Sequence, residues 1–254
     1  MGQTNKLKEW VIDPLLPPRC PVSGDIVDHD AVLSPGSWAG LSFLSKPVCK
    51  SCGTPFAFEN KSAGFSKDNE MLCLGCLRKS PYFDSARAAL AYNETSRRLL
   101  LSFKYGDQHQ SARLLAGFAG RMIKKPDSYH AIIPVPLHKH RLIQRRFNQS
   151  ALLAQWLARL KNIPYSPFLL QRSRATPPQK DKNRKQRQKN VKNAFMVPDK
   201  IKDQIPGSHL IIIDDVFTTG ATVNECARVL KIAGAEKVDV VTIARVVNAN
   251  HAGD

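Results

Sequence analysis

The chain has 254 residues, enough for one α/β domain of ordinary size and a small accessory module. Its 43% hydrophobic and 23% charged residues exclude a low-complexity or disordered chain. No apolar run approaches the roughly 20 residues of a membrane helix, so no membrane insertion is expected. Lys and Arg number 38 against 21 Asp and Glu, a formal charge of +17. That excess points to polyanionic partners, nucleic acid or phosphorylated substrates, or else serves solubility. The basic N-terminus is interrupted by Glu9, Asp13 and prolines and does not read as a secretory signal, which implies a cytoplasmic location. In that compartment six cysteines suggest metal binding sooner than disulfides.

Residues 1–80 are rich in Pro, Gly, Ser and Cys, show no sustained period, and read as loops and short hairpins. Within them Cys49-Lys-Ser-Cys52-Gly and Cys73-Leu-Gly-Cys76 have the spacing of two knuckle turns that present four thiolates to one zinc ion. Closed four-sulfur coordination implies a structural metal; a redox dithiol is the rival reading. Cys20-Pro-Val-Ser23-Gly looks like a third pair whose second cysteine is serine, so Cys20 is either a buried thiol or, with His29, part of a second metal site. No internal repeat is evident in the sequence.

The pattern changes near residue 80, dividing the chain into a cysteine-rich module, 1–80, and a larger domain, 81–254. A strand is expected at 85–92, helices at 98–104 and 112–123, a strand at 131–135 and a long amphipathic helix at 142–160. Residues 171–192 read mostly as a mobile basic loop, with seven Lys or Arg and one Asp in 180–192. A strand at 210–213, a helix at 222–233 ended by Gly234, and a strand at 238–247 follow. Cys226, at apolar helical spacing, reads as core. Strands alternating with helices imply an α/β fold with a parallel sheet.

The segment LIIIDDVFTTGATVNECARVL carries the most chemistry. An apolar strand leads into Asp214 and Asp215, then Val216 and Phe217, then Thr218-Thr219-Gly220-Ala221-Thr222 as a helix begins. A helix N-terminus offers unpaired N–H groups and partial positive charge to a phosphate. Gly220 permits close backbone approach and the threonine hydroxyls add neutral donors, while the carboxylates can accept from ribose hydroxyls and hold a magnesium-bound ligand. Neither G-x-x-x-x-G-K-[ST] nor G-x-G-x-x-G occurs. The segment resembles the signature with which type I phosphoribosyltransferases bind phosphoribosyl pyrophosphate (PRPP).

With FKYGD at 103–107, PVPLHKHRLIQRRFNQSALLA at 134–154, RATPPQKDKNRKQRQKNVKNAF at 174–195 and the cysteine pairs, nearly the whole chain resembles the ComF family of competence-associated proteins. That resemblance implies an N-terminal zinc ribbon (Cys49, Cys52, Cys73, Cys76) and a type I phosphoribosyltransferase-like parallel sheet flanked by helices. It implies that Val135, Pro136 and Leu137 begin a loop cradling pyrophosphate; Arg141, Arg145 and Arg146 either add positive charge there or form an exposed helix face. It also matches Thr176, Pro178, Gln179, Arg187 and Asn190 to a flexible loop that closes over PRPP, and Lys104 to a lysine near the active site. Implied cofactors are structural zinc and magnesium bound with PRPP. Two functions stay open: a phosphoribosyltransferase acting in DNA uptake and competence, or a non-catalytic module that binds single-stranded DNA or other competence proteins.

Overall fold

The computed structural model describes residues 17–56, 63–65, 70–105, 108–138, 142–143, 147–174 and 184–247. Its centre is a four-stranded parallel sheet. Strands β3 (Ser85–Ala91), β4 (Ala131–Pro134), β7 (His209–Phe217) and β8 (Lys237–Arg245) lie in the order β3-β8-β7-β4. Strand polarity requires a crossover between neighbours, and helices supply it. Helices α3 (Glu94–Tyr105), α4 (Gln108–Gly120) and α5 (Gln149–Lys161) bury one face; α6 (Arg184–Val191) and α7 (Ala221–Ile232) lie on the other. Alternation along β7 divides the core in two: Leu210 and Ile212 pack toward α7, Ile211 and Ile213 toward α3–α5. A strand covered on both faces must be continuously apolar, which explains the Leu-Ile-Ile-Ile run. Among the described residues no helix is long and apolar enough to cross a membrane.

The amino ends of the strands are tied by a buried carboxylate. Asp239 on β8 accepts from Ser85 Oγ (2.7 Å) and Tyr129 Oη (2.8 Å) and lies 3.1 Å from His209 Nε2. These bonds outweigh its desolvation and hold its pKa below the usual value. The connecting loops open at the carboxyl ends.

Three elements differ from the sequence expectation. The amphipathic helix starts at Gln149, because Asn148 caps it: its Oδ1 accepts from Ser150 N at 3.1 Å and its Nδ2 donates to Val135 O at 3.1 Å. The stretch read as a basic loop, 171–192, opens with β5 (Gln171–Arg172), which pairs antiparallel with β6 (Phe195–Met196) just beyond the stretch, and holds the helix α6. Its sequence, RKQRQKNV, has no apolar stripe and escapes any periodicity test. Finally, β7 does not stop at Ile213. It runs through the two aspartates to Phe217, since β8 pairs with it that far.

The N-terminal part also holds a repeat, of which the sequence shows only the Cys20–Ser23 pair. At Cys49, Gly53 N donates to Cys49 O (2.9 Å) and Cys49 N to Thr54 O (2.8 Å), with a bridge between Val48 and Pro55. At Cys20, Gly24 N donates to Cys20 O (2.9 Å) and Cys20 N to Asp25 O (2.8 Å), with a bridge between Arg19 and Ile26. Each knuckle has its counterpart in a five-residue helix: α1 (Pro35–Ala39) after Ser34, and α2 (Leu74–Arg78) after Cys73 at the end of β2 (Met71–Cys73), which pairs with β1 (Ala63–Phe65).

Asn148 both caps α5 and anchors the loop after β4. Asn148→Ala should therefore lower stability by about 1–2 kcal/mol in urea denaturation. An unchanged midpoint would show the cap to be dispensable.

Candidate functional site

Strand β7 delivers Asp214 and Asp215 to the carboxyl edge of the sheet, where ligands of parallel α/β folds bind. Asp214 Oδ1 accepts from Ser150 Oγ on α5 (3.0 Å) and from Asp215 N (2.9 Å). Asp215 Oδ2 is paired with Lys104 Nζ of α3 at 2.6 Å, and its Oδ1 accepts from Val216 N at 2.7 Å. Burial, then the adjacent Asp215 charge, pushes Asp214 up to about 7, although the Asp215 amide, Ser150 and Lys104 oppose the rise.

Beyond Phe217 the chain turns through Thr218 and Thr219 to Gly220, which precedes α7 at φ 72°. A side chain there is excluded twice: by that φ, and because a Cβ would lie 2.5 Å from Phe217 Cζ. Ala221 N faces Thr219 Oγ1 at 3.4 Å. A cleft is lined by Asp214, Val216, Phe217, Thr218, Gly220, Ala221, Thr222 and Val223, so the expected phosphate loop and one carboxylate share a wall. The first N–H groups of α7 lack intrahelical acceptors and add partial positive charge.

The loop after β4 lies beside this cleft. Val135 N donates to Ile213 O (2.9 Å), which extends the β4–β7 ladder; Val135 is buried, and Pro136 and Leu137 are half-buried. Arg141, Arg145 and Arg146 fall outside the described residues, as do Thr176, Pro178 and Gln179. Arg187 lies on α6, though its side chain is outside the described set; Asn190, on the same helix, accepts at its carbonyl from Arg174 Nη2 (3.3 Å). Just beyond α6, Asn193 N donates to Glu225 Oε1 (2.7 Å) of α7, and Glu225 also holds Arg228. The basic segment is thus fastened to the helix that follows the candidate phosphate loop.

Cys49, Cys52, Cys73 and Cys76 come together with all sulfurs within 4.8 Å of one another, and none is in a disulfide. Cys52 Sγ and Cys73 Sγ are 3.6 Å apart, close to the roughly 3.8 Å edge of a tetrahedron with zinc–sulfur bonds of about 2.3 Å. Cys73 N also donates to Cys49 Sγ (3.3 Å), an outer-shell bond of the kind that orients a thiolate ligand. Contacts with Cys49 and Cys52 push the Cys73 and Cys76 thiols up, a conflict a bound dication relieves by taking all four as thiolates. The donor set fits structural zinc.

A buried guanidinium connects this centre to the cleft. Arg245, at the end of β8, donates through Nη1 to Cys52 O and through Nη2 to Thr54 Oγ1 (2.9 Å), with its guanidinium carbon 4.6 Å from the Phe217 ring centre. Phe217 is the ring that closes on Gly220. Sequence reasoning missed Arg245 and Ser150. Arg245 left one signal, a charge terminating the apolar run of β8; Ser150 read as part of a helix start.

The raised Asp214 pKa has a sign that can be tested. Stability it confers is complete below its unfolded value near 4 and is lost as pH rises through about 7, where the ionised form is penalised. In ligand-free protein Asp214→Asn should gain on the wild type by about 2 kcal/mol between pH 5 and pH 8 in urea denaturation. A difference independent of pH would mean that Asp214 titrates as an ordinary carboxylate.

Residues 11–77 match the double zinc ribbon domain, and residues 150–252 the phosphoribosyl transferase domain. Competence protein F of Haemophilus influenzae is 31% identical over 207 residues, covering 79% of this chain and 86% of the relative. The DNA utilization protein YhgH of Escherichia coli O157:H7 is 31% identical over 228 residues, covering 84% and 93%. Competence protein ComFC of Bacillus subtilis is 28% identical over 217 residues, covering 81% and 80%. With ribbon, sheet and these relatives in agreement, the chain belongs to the ComF family, in which a zinc ribbon precedes a phosphoribosyltransferase domain.

Proposed function

We propose that the cleft at the end of β7 binds PRPP with magnesium and that the protein is a phosphoribosyltransferase-like component of DNA uptake. The observation that carries the reading is the adjacency of Asp214 to a side-chain-intolerant Gly220 at the start of α7. The 5-phosphate rests on the N–H groups and hydroxyls of Thr218, Thr219, Gly220, Ala221 and Thr222. Asp214 and Asp215 accept from the ribose hydroxyls. Magnesium, when bound, neutralises the pyrophosphate so that it can leave. Backbone at Val135, Pro136 and Leu137 cradles that pyrophosphate, and Lys104 orients Asp215 through their ion pair. The segment carrying Thr176, Gln179, Arg187 and Asn190 covers the ligand and excludes water. The link to DNA uptake is supported by the names of the relatives in Haemophilus influenzae and Bacillus subtilis.

A second reading, a single-stranded DNA module, is favoured by the charge of +17 and the polar helix α6. Neutralising Lys182, Arg184, Lys185 and Arg187 together should abolish a steeply salt-dependent affinity for single-stranded DNA. Affinity unaffected by salt and by these changes would end that reading.

The direct test is calorimetric titration of PRPP and magnesium into zinc-loaded protein. Micromolar binding is expected in the wild type, weakened at least about tenfold in Gly220→Ala and lost in Asp214→Asn/Asp215→Asn. Absence of binding to the folded wild type, or equal binding by the double variant, overturns the proposal.

A further inference from the structure

The N-terminal repeat places two potential metal centres in the chain, and a double zinc ribbon implies an ion in each. The second centre has its four cysteines. In the first, Cys20 stands where Cys49 does and Ser23 where Cys52 does. Ser34 matches Cys73, each preceding a five-residue helix with extended backbone (φ −60°, ψ 153° against φ −74°, ψ 155°). Ser37 matches Cys76, third in that helix; Gly24 and Gly53 close the knuckles at φ 81° and 73°. The equivalence rests on the matching hydrogen bonds of the two knuckles, the matching backbone at Ser34 and Cys73, and the same place in the two short helices for Ser37 and Cys76.

We infer that the first ribbon half is a metal-free copy of the second, in which a hydrogen-bonded cluster of Cys20, Ser23, Ser34 and Ser37 replaces the zinc. Ser23 Oγ and Ser34 Oγ are 3.0 Å apart, Ser34 Oγ donates to Ser37 Oγ at 3.0 Å, and Cys20 Sγ is in hydrogen-bonding contact with Ser37 Oγ at 3.3 Å. These are distances of direct hydrogen bonds, so the polar atoms satisfy one another and not a shared cation. Serine hydroxyls stay protonated near neutral pH, leaving one ionisable ligand where a structural zinc site uses four strong donors. Cys20, Ser34 and Ser37 are buried, and each has a partner within the cluster.

The loss of the ion is compensated by packing. Cys20, Leu33 and Leu41 belong to the same apolar cluster as α3, α4 and α5. Trp38 of α1 meets Phe43 (centroids 5.4 Å) and Phe118 of α4 (5.8 Å), and Phe43 meets Phe118 edge-on at 5.3 Å. Trp38 corresponds to Leu77 in α2; both keep part of their surface in solvent (46% and 40%), and the covered side of Trp38 makes the aromatic contacts. The first half is therefore held by the domain it rests on, and its centre no longer needs a metal to order it.

Zinc per chain, measured by mass spectrometric elemental analysis of purified full-length protein, decides the matter. One zinc is expected in the wild type and in Cys20→Ala, none in Cys49→Ala/Cys52→Ala, and two in Ser23→Cys/Ser34→Cys/Ser37→Cys. Two zinc ions in the wild type, a loss of zinc in Cys20→Ala, or zinc retained in Cys49→Ala/Cys52→Ala overturns the inference. Should the triple variant not fold, the wild-type count and Cys20→Ala still decide between the outcomes.

Discussion

Strand β7 must be apolar on both faces and yet end in two carboxylates, and the rest of the molecule is arranged around that requirement. Its apolar half obliges helices to cover both sides of the sheet. Its polar end obliges other elements to bring compensating groups: α3 brings Lys104 to Asp215, and α5 brings Ser150 to Asp214. A carboxylate pair left without these partners would pay the full cost of desolvation and mutual repulsion. The same groups that make the end of β7 tolerable also set the charge state of the cleft. In the absence of ligand one carboxylate is held by an ion pair while the other rests near its titration point.

A second constraint comes from Arg245. An arginine cannot be discharged at accessible pH, so burying one requires acceptors and a polarisable surface. Cys52 O and Thr54 Oγ1 provide the acceptors and the Phe217 ring the surface. Gly53 can approach only because it lacks a side chain, a Cβ there lying 2.3 Å from Ala86 O. The ribbon is thereby docked on the sheet through backbone contacts, including Ala86 N to Ser51 O at 2.7 Å.

What the sequence made legible was chemistry confined to a few consecutive residues. The run from Leu210 to Thr222 and the two cysteine pairs each carry their reason locally, and the structure brings each set together. What stayed hidden was made by contacts between distant segments. Lys104 and Asp215 meet only because α3 crosses the carboxyl end of β7, and Asn148 is unremarkable until Val135 O lies within its reach. Helix α6 lacked the apolar period by which helices are read: its sequence offers one apolar residue, Val191, which is buried. The ribbon repeat was legible only in its first half, as the Cys20–Ser23 pair; its second half was hidden because cysteines are what mark such a motif, and serines stand at positions 34 and 37.

The path from Cys52 through Arg245 and Phe217 to Gly220 has a thermodynamic consequence. Metal affinity at a ribbon is folding free energy, and any free energy transmitted along that path acts equally in both directions. Whatever factor such a coupling has, it is one number read at two ends: the change in zinc affinity when the turn at Gly220 is held equals the change in affinity at that turn when the four cysteines hold zinc.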